Sequence, residues 1–452
     1  MAGWRSGPIN EWAWIAGRSV PDLAIPLICV ASLLWPALWN GYPIVFADTG
    51  TYLSQAMHRY LGWDRPVFYS LFLWPLHLGV TTWPAVVAQS GLTVLVLDLT
   101  RRAFRLREAW LLAITLILSA FTSLPWIVSA LMPDLFTPLL VLILGMLLFA
   151  RGMFPPRARW AMIGLAAFMI ATQQSSVLLS CALLAIAMPV LFFVRRGVGL
   201  SPLLAPMLAI GALVAMNTAG HKRVSISPYG DVFVLARIIY QGPGMTVLRR
   251  DCPDSGWLLC PYLDRFPPTS DAFLWDKTSP ILYAGGHKAI SVDAHAIIAA
   301  AVRAEPAALL RASWDNTIEQ AVRFATGDGL DPWEQEVGTW IARDFPGSEH
   351  ERFRAARQQQ GRLMVPPALQ IIHQALALAG IAAAVILLPL AWRRRHLAAW
   401  FLAFALLTLP VSAAITGALS TPHDRYQSRI VWLPLCIALF SAPSLMGRRT
   451  PA

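Results

Sequence analysis

Charged residues are scarce in this chain of 452 residues: 13% are Asp, Glu, Lys or Arg, whereas 56% are hydrophobic. Soluble globular domains carry about 25% charged residues, so this composition excludes a water-soluble protein. The hydrophobic content also excludes intrinsic disorder. Five cysteines in a chain of this length are too few for a small disulfide scaffold.

Lysine is almost absent, since Lys222, Lys277 and Lys288 are its only examples, and the net charge of +11 comes from arginine. Many arginines cluster in short loops between apolar blocks. This placement follows the positive-inside rule of membrane proteins, so we expect no nucleic-acid partner.

Several short catalytic motifs are also missing. The sequence has no Walker motif, dinucleotide fingerprint, HExxH, GxSxG or CxxC pair. These absences argue against ATP-driven transport, nicotinamide chemistry and zinc proteolysis.

Long apolar blocks are the main feature that is present. Because a membrane-spanning helix needs about 20 mostly apolar residues, we predict an all-α polytopic membrane protein with about ten transmembrane helices. One external soluble domain of mixed or mainly helical structure completes it. The predicted spans lie near residues 22–39, 84–100, 109–124, 135–150, 160–173, 176–194, 202–219, 367–391, 398–418 and 430–446.

The spans divide the chain into three parts. Residues 1–219 form an N-terminal membrane module of about seven spans, whose first external loop is residues 40–66. Residues 220–365 mix charges, prolines, glycines and tryptophans and contain no run long enough to span, so we expect an external domain there. Residues 366–452 form a C-terminal membrane module of three spans.

Arginine sets the predicted orientation. RRAFRLR, RGMFPPRAR, RRGVG and WRRRH fall on one side of the membrane, which we take to be the cytoplasm. The N-terminal leader has no compact apolar run of the signal-peptide kind, and we expect it to be retained with both termini cytoplasmic. We therefore predict a multi-pass protein of the bacterial inner membrane whose active site faces the periplasm.

Two cysteines, Cys252 and Cys260, lie in the predicted external domain, whereas Cys29, Cys181 and Cys436 lie in predicted spans. Two cysteines that close a short loop in an oxidising compartment indicate a disulfide. A zinc site is the competing interpretation, but no second ligand pair stands at a suitable spacing. A structural disulfide is favoured over a redox role.

Polar residues collect on the predicted external face. Ionisable groups at a membrane edge are costly and by default mark a site. We therefore predict an outer-face site that includes residues of the external loops: Asp48, Arg65, Asp134, Gln173, Gln174, His423, Asp424, Arg425 and Arg429.

Asp48 precedes a segment, TYLSQAMHRYL, whose apolar residues recur at four-residue spacing. This spacing predicts an amphipathic helix in the membrane interface, with Ser54 and Gln55 on its polar face. Asp48 is either the N-cap of that helix or a functional carboxylate. Arg65 and Asp134 in nearby external segments favour the functional interpretation.

The other polar residues also have structural alternatives. Asp134 either caps the next span or belongs to the site, and Gln173 and Gln174 are loop residues, helix contacts or site residues. Arg425 and Arg429 either snorkel to head groups or bind phosphate. Their spacing around Tyr426 puts them on one side of a helical turn, and paired guanidiniums suit a phosphate clamp.

The arrangement resembles the GT-C superfamily of membrane glycosyltransferases. The resemblance is one of layout over most of the chain, and it is carried by FADTGTYL, DRPVFYSLF, LMPD and HDRYQSR. It implies a polyprenyl-phosphate-linked sugar as donor, and it implies that Asp48 is the general base or positions the acceptor. Asp134 would be the second acidic residue. The chain departs from some members because its first loop lacks paired acidic residues.

The predicted function is therefore transfer of a sugar from a polyprenyl phosphate to a glycan, lipid or protein acceptor. No cofactor is certain, and a divalent cation is possible. An O-antigen-type polysaccharide polymerase or ligase and, third, a secondary transporter are the alternatives. The predicted catalytic residues are Asp48 and Asp134, and the predicted substrate-binding or lipid-phosphate-binding residues are Tyr52, Arg65, Gln173, Gln174, His423, Arg425, Tyr426 and Arg429.

Overall fold

A computed structural model describes residues 20–195, 199–252 and 254–446. These residues are largely helical and form no strand, and their extended pairing is limited to an isolated bridge between Ile44 and Ala130. The predicted cytoplasmic leader, the centre of RRGVG and the C-terminal GRRTPA lie outside the described residues.

Among the described residues, six helices are long and apolar enough to cross a bilayer. They confirm a helical membrane protein at the level of length and composition. The total of ten spans and the side of the membrane on which each loop lies stay predictions. The six segments are Trp83–Ala103, Gln174–Val194, Ser201–His221, Pro367–Arg393, Ala398–Leu419 and Asp424–Met446.

Four predicted spans correspond to shorter helices. The first is interrupted after Ser32, where the helix Val20–Ser32 gives way to a second helix, Trp35–Asn40. Ala109–Phe121 has 13 residues, which at 1.5 Å per residue reach about 20 Å, against the roughly 30 Å of a bilayer core. Phe136–Phe149 and Pro156–Ala171 have 14 and 16 residues.

Short helices occupy the segments between these elements. Before residue 130 they are Thr49–His58, Phe68–His77 and Leu124–Val128. The segment between residues 222 and 366 contains Gly230–Gln241, Gly244–Asp251, Ser270–Trp275, Pro280–Tyr283, Gly286–Ala304, Pro306–Val322, Thr339–Asp344 and Gly347–Ala355, with a π-helical turn at Glu334–Gly338. Asp424–Ser428 and Leu433–Met446 end the described chain.

Residues 220–365 pack as two groups rather than as one. The first group has its own core, which runs from Tyr229 to Ala301, with the disulfide Cys252–Cys260 at its edge. In the second group, Val337 and Phe353 are fully buried in the main core, which residues of the long apolar helices also form. The packing of this segment therefore changes before residue 337.

The helix Thr49–His58 does not have the predicted exposed polar face, because Ser54 and Gln55 are buried. The Gln55 side chain donates to the Ser70 hydroxyl at 3.3 Å and accepts from the backbone N–H of Gly62 at 2.7 Å. These bonds hold Thr49–His58 against the next helix, Phe68–His77. The prediction of an interfacial amphipathic helix is wrong at these positions, since tertiary hydrogen bonds satisfy its polar face.

Candidate functional site

Contacts with distant parts of the chain hold the first loop, residues 40–66, in place. We call the region where residues 44–48, 126–134, 326–330 and 425–429 meet the site end. Ile44 forms its bridge there, since its N–H donates to the Ser129 carbonyl at 2.9 Å and its carbonyl accepts from Leu131 at 2.8 Å. The buried Gln358 amide holds the neighbouring Val45 through both backbone groups, at 3.0 and 2.7 Å. These contacts fix the backbone that carries Asp48.

Asp48 stands at the N-cap position of Thr49–His58, but its side chain makes no capping hydrogen bond. Its Oδ1 instead accepts a hydrogen bond of 2.7 Å from the Arg65 guanidinium. Its Oδ2 lies 4.0 Å from Nη1 of Arg425. The capping alternative is therefore wrong, and Asp48 joins two arginines that are far apart in the sequence.

Burial by itself would raise the pKa of the Asp48 carboxyl. The positive charges of Arg65 and Arg425, together with the hydrogen bond from Arg65, outweigh that effect and lower the pKa below its ordinary value. Asp48 is therefore ionised at neutral pH. A lowered pKa also makes it a weaker base than a free carboxylate.

Arg425 is partly buried at the site end, and its hydrogen bonding is incomplete among the described residues. Its Nε and Nη1 atoms are buried and have no hydrogen-bond partner within the part of the chain that the structure describes. The guanidinium stands 4.3 Å from the centre of the Phe46 ring, and its backbone N–H donates to Asp328 at 3.1 Å. Unpaired buried donors are costly, so these nitrogens suit an anionic ligand.

Arg429 is held by a direct ion pair, although its buried Nε has no hydrogen-bond partner among the described residues. Its Nη1 donates to Asp134 at 2.7 Å and to the Gln173 side chain at 2.9 Å, and its side chain is 2% exposed. The ring of Tyr426 stands 5.5 Å from this guanidinium and 5.2 Å from that of Arg425. Both arginines thus lie on the Tyr426 side of the turn, as the spacing predicted.

Asp134 does not cap the helix that follows it, because no side-chain capping bond forms there. Its contact with Arg429 instead joins residues that are 295 positions apart in the sequence. Gln173 also accepts from the Thr137 hydroxyl at 3.2 Å. The Asp134–Arg429–Gln173 cluster therefore connects three separate stretches of chain.

A cavity of about 70 Å³, partly open to solvent, lies at the site end. Asp134, Arg425 and Arg429 line it, together with Phe46 and Asp328. The wall is built by four separate segments, residues 44–46, 126–134, 326–330 and 425–429. The cavity therefore combines a basic edge with acidic and aromatic groups.

Seven of the ten predicted catalytic and binding residues are not on this cavity wall: Asp48, Tyr52, Arg65, Gln173, Gln174, His423 and Tyr426. Tyr52 is buried and packs edge-on against Tyr69, with ring centres 5.0 Å apart. Gln174 begins a long helix, and its side chain makes no hydrogen bond within the part of the chain that the structure describes. Asp48 itself is not on the wall, but it reaches the cavity through Arg425.

The Nδ1 atom of His423 lies 3.7 Å from a carboxylate oxygen of Asp328. Burial lowers the pKa of the His423 imidazole, and the positive charge of Arg425 lowers it further. The carboxylates of Asp328 and Asp271 raise this pKa but do not outweigh the two lowering effects. The imidazole is therefore neutral at pH 7. His423 contacts the wall of the site rather than its interior.

Sequence reasoning missed Asp328 and the two buried residues that hold the first loop, Gln358 and Glu349. Glu349 accepts hydrogen bonds from the hydroxyls of Tyr42 and Thr81, each at 3.0 Å. The available signal was Gly327-Asp328-Gly329, an acidic residue between two glycines. No comparable signal marks the other two.

Within residues 20–195, 199–252 and 254–446, no group of three or more His, Cys, Asp or Glu side chains is placed to hold a metal ion. The divalent cation stays a prediction.

Cys252 and Cys260 are joined in a disulfide, with Cα atoms 5.5 Å apart.

Comparison of the chain with known protein families, with curated proteins and with solved structures finds no significant match.

Proposed function

We propose that the protein is a membrane glycosyltransferase that moves a sugar from a polyprenyl-phosphate donor to an acceptor at the outer face of the bacterial cytoplasmic membrane. The observation that carries this proposal is the Arg425 guanidinium. It lines the cavity and stands 4.0 Å from the ionised Asp48, and two of its buried nitrogens have no hydrogen-bond partner among the described residues. An anion-binding group and a carboxylate thus share one site.

Arg425 binds the phosphate of the donor in this proposal. As the bond between the sugar C1 and the phosphate oxygen breaks, negative charge develops on that oxygen. Guanidinium N–H groups that are already oriented stabilise such charge with little reorganisation, and their planar fork matches phosphate oxygens. Arg429, from its buried position, adds a second positive charge to the same part of the cavity wall.

Asp48 takes the proton of the acceptor hydroxyl as the new C1–O bond forms. Glycosyl transfer has an oxocarbenium-like transition state, in which the hydroxyl becomes more acidic as its oxygen bonds to C1. A carboxylate with a lowered pKa can therefore accept the proton late in the step. The proton ends on Asp48, and the electron pair of the broken bond leaves with the lipid phosphate.

The disulfide Cys252–Cys260 supports the proposed location. Structural disulfides persist in oxidising compartments such as the bacterial periplasm and are rare in the cytosol. This bond belongs to the core at residues 229–301, so it favours placement of that core outside the cytoplasm.

Lipid binding tests the proposal. The protein in nanodiscs is titrated with undecaprenyl phosphate and, separately, with undecaprenyl diphosphate. We expect the monophosphate to bind and Arg425→Ala to weaken its binding at least tenfold, since charge-assisted hydrogen bonds contribute about 1.5 to 3 kcal/mol each. The exposed Arg362→Ala is the matched control and should bind as the wild type does.

Two results would change the assignment. Binding of neither lipid by the wild type would overturn the proposed donor class. Clear preference for undecaprenyl diphosphate would favour the polysaccharide polymerase or ligase class, whose donor is a lipid diphosphate.

A further inference from the structure

The segment Thr326–Leu330, which we call the glycine loop, forms one continuous stretch of the cavity wall. Gly327 and Gly329 adopt positive φ angles of 95° and 79°, where residues with a side chain are strained. A Cβ atom at Gly329 would lie 2.1 Å from the Phe46 ring. The loop therefore needs glycine to bring its backbone against the aromatic part of the wall.

Polar groups of the glycine loop remain available to a ligand. Oδ2 of Asp328 accepts the Arg425 backbone N–H at 3.1 Å, whereas Oδ1 has no hydrogen-bond partner among the described residues. The backbone N–H groups of Gly327, Asp328 and Gly329 likewise donate no hydrogen bond within the described chain. The loop thus offers a carboxylate acceptor beside several N–H donors.

The side-chain charge of this loop is opposite to that of the phosphate site. The negative Asp328 disfavours a phosphate, whereas Arg425 and Arg429 attract one. A neutral polyol can use the loop fully, because each hydroxyl both donates and accepts hydrogen bonds. Phe46 adds an apolar surface for ring carbons, as is usual in small-molecule sites with a few placed polar groups.

We propose that the glycine loop binds the sugar of the lipid-linked donor, with Asp328 accepting hydrogen bonds from sugar hydroxyls and the Phe46 ring lying against the sugar. This inference rests on the proposed function, and it assigns the two ends of the donor to different parts of one cavity. The phosphate lies at the arginines, and the sugar lies at residues 326–330. Asp328 is then the residue that determines recognition of the sugar.

The test compares lipids that differ only in the sugar. Wild type, Asp328→Asn and Asp331→Asn are titrated in nanodiscs with undecaprenyl phosphate, undecaprenyl phosphoglucose and undecaprenyl phosphomannose. Asparagine can still accept the Arg425 N–H, so a merely structural role would survive Asp328→Asn. Asp331 is exposed and lies outside the cavity wall, which makes it the matched control.

We expect the wild type to bind one glycosylated lipid at least tenfold more tightly than undecaprenyl phosphate. Asp328→Asn should lose most of that difference while its affinity for undecaprenyl phosphate stays within about twofold of the wild type. Gly329→Ala, which pushes a methyl group toward Phe46, should also lose it. Asp331→Asn should behave as the wild type does.

Other results separate this inference from the proposed function. If Asp328→Asn binds the glycosylated lipids as the wild type does, or loses all three lipids equally, the sugar site is overturned while the donor class stands. The sugar site is also overturned if neither sugar raises the affinity of the wild type above its affinity for undecaprenyl phosphate. If undecaprenyl phosphate itself does not bind to the wild type, both proposals fail.

Discussion

Two arginine clusters lie at the site end, and they differ in how completely their charges are paired. In the first, Arg429 is almost fully buried and bonded to both Asp134 and Gln173. In the second, Asp48 is bonded to Arg65, but Arg425 lies 4.0 Å from it. Both clusters reach the cavity wall. We call the first closed because a direct ion pair holds its guanidinium, and the second open because two buried nitrogens of Arg425, against one of Arg429, have no hydrogen-bond partner among the described residues.

The difference separates a structural role from a binding role. Removing one member of a buried pair leaves an uncompensated charge, so a closed cluster is needed for the fold. An open cluster already carries the cost of unpaired groups, and a ligand that pairs them recovers that cost. We therefore expect mutations in the first cluster to change stability and mutations in the second to change binding or rate.

The largest expected effect is that of Asp48→Asn on sugar transfer. The amide keeps the shape of the side chain but cannot take the acceptor proton, so the rate should fall by about two to four orders of magnitude. The measurement is transfer from a radiolabelled lipid-linked sugar. Monodisperse elution and a melting transition would show that the variant is folded.

If the Asp48→Asn protein still transfers sugar at the wild-type rate, Asp48 is not the general base. Asp331→Asn, an exposed carboxylate variant at the same end of the molecule, is the control and should retain the wild-type rate.

Asp134→Ala should have the largest effect on stability. It leaves the buried Arg429 guanidinium without its carboxylate, and breaking a buried ion pair costs about 3 to 5 kcal/mol. We expect a marked fall in Tm or failure to fold, as measured by thermal unfolding in detergent. Asp134→Asn should be milder because it can still accept a hydrogen bond. Equal, small effects of both variants would count against a closed structural cluster.

The Asp48–Arg65 pair should contribute to stability in a pH-dependent way. The pKa of Asp48 is lowered in the folded protein, so its stabilisation is present above the ordinary carboxyl value and is lost as pH falls through the folded pKa. A charge-assisted bond contributes about 1.5 to 3 kcal/mol. The Tm difference between wild type and Asp48→Asn should be constant from about pH 5 to 8 and shrink below about pH 4.

A Tm difference that grows as the pH falls would have the wrong sign for a carboxylate with a lowered pKa. Asp331→Asn again serves as control, with no such pH-dependent difference expected.

The six long apolar helices follow from the sequence, because a long apolar segment is a local property. The same holds for the break between Gly286–Ala304 and Pro306–Val322, because a proline cannot continue the preceding helix. The pairings within the site could not be predicted, since Asp134 and Arg429 meet only after the helices pack. Sequence position showed which polar residues were unusual, but not which partner each one has.

The anchors of the first loop show a second limit of sequence reasoning. Glu349 and Gln358 lie in a segment rich in charge, where polar residues are expected at the surface. Both are buried because they satisfy the backbone and hydroxyl groups of distant residues such as Val45 and Tyr42. Burial of this kind depends on the tertiary fold and leaves no local pattern.

The most direct test of the account is the affinity for undecaprenyl phosphate of Arg425→Lys and Arg429→Lys, measured side by side with the wild type in nanodiscs. Lysine keeps the charge but loses the planar fork. We predict that Arg425→Lys weakens binding roughly tenfold, about 1.4 kcal/mol, with an unchanged Tm, whereas Arg429→Lys lowers the Tm. Unchanged affinity in Arg425→Lys at normal expression would contradict a phosphate site at the open cluster.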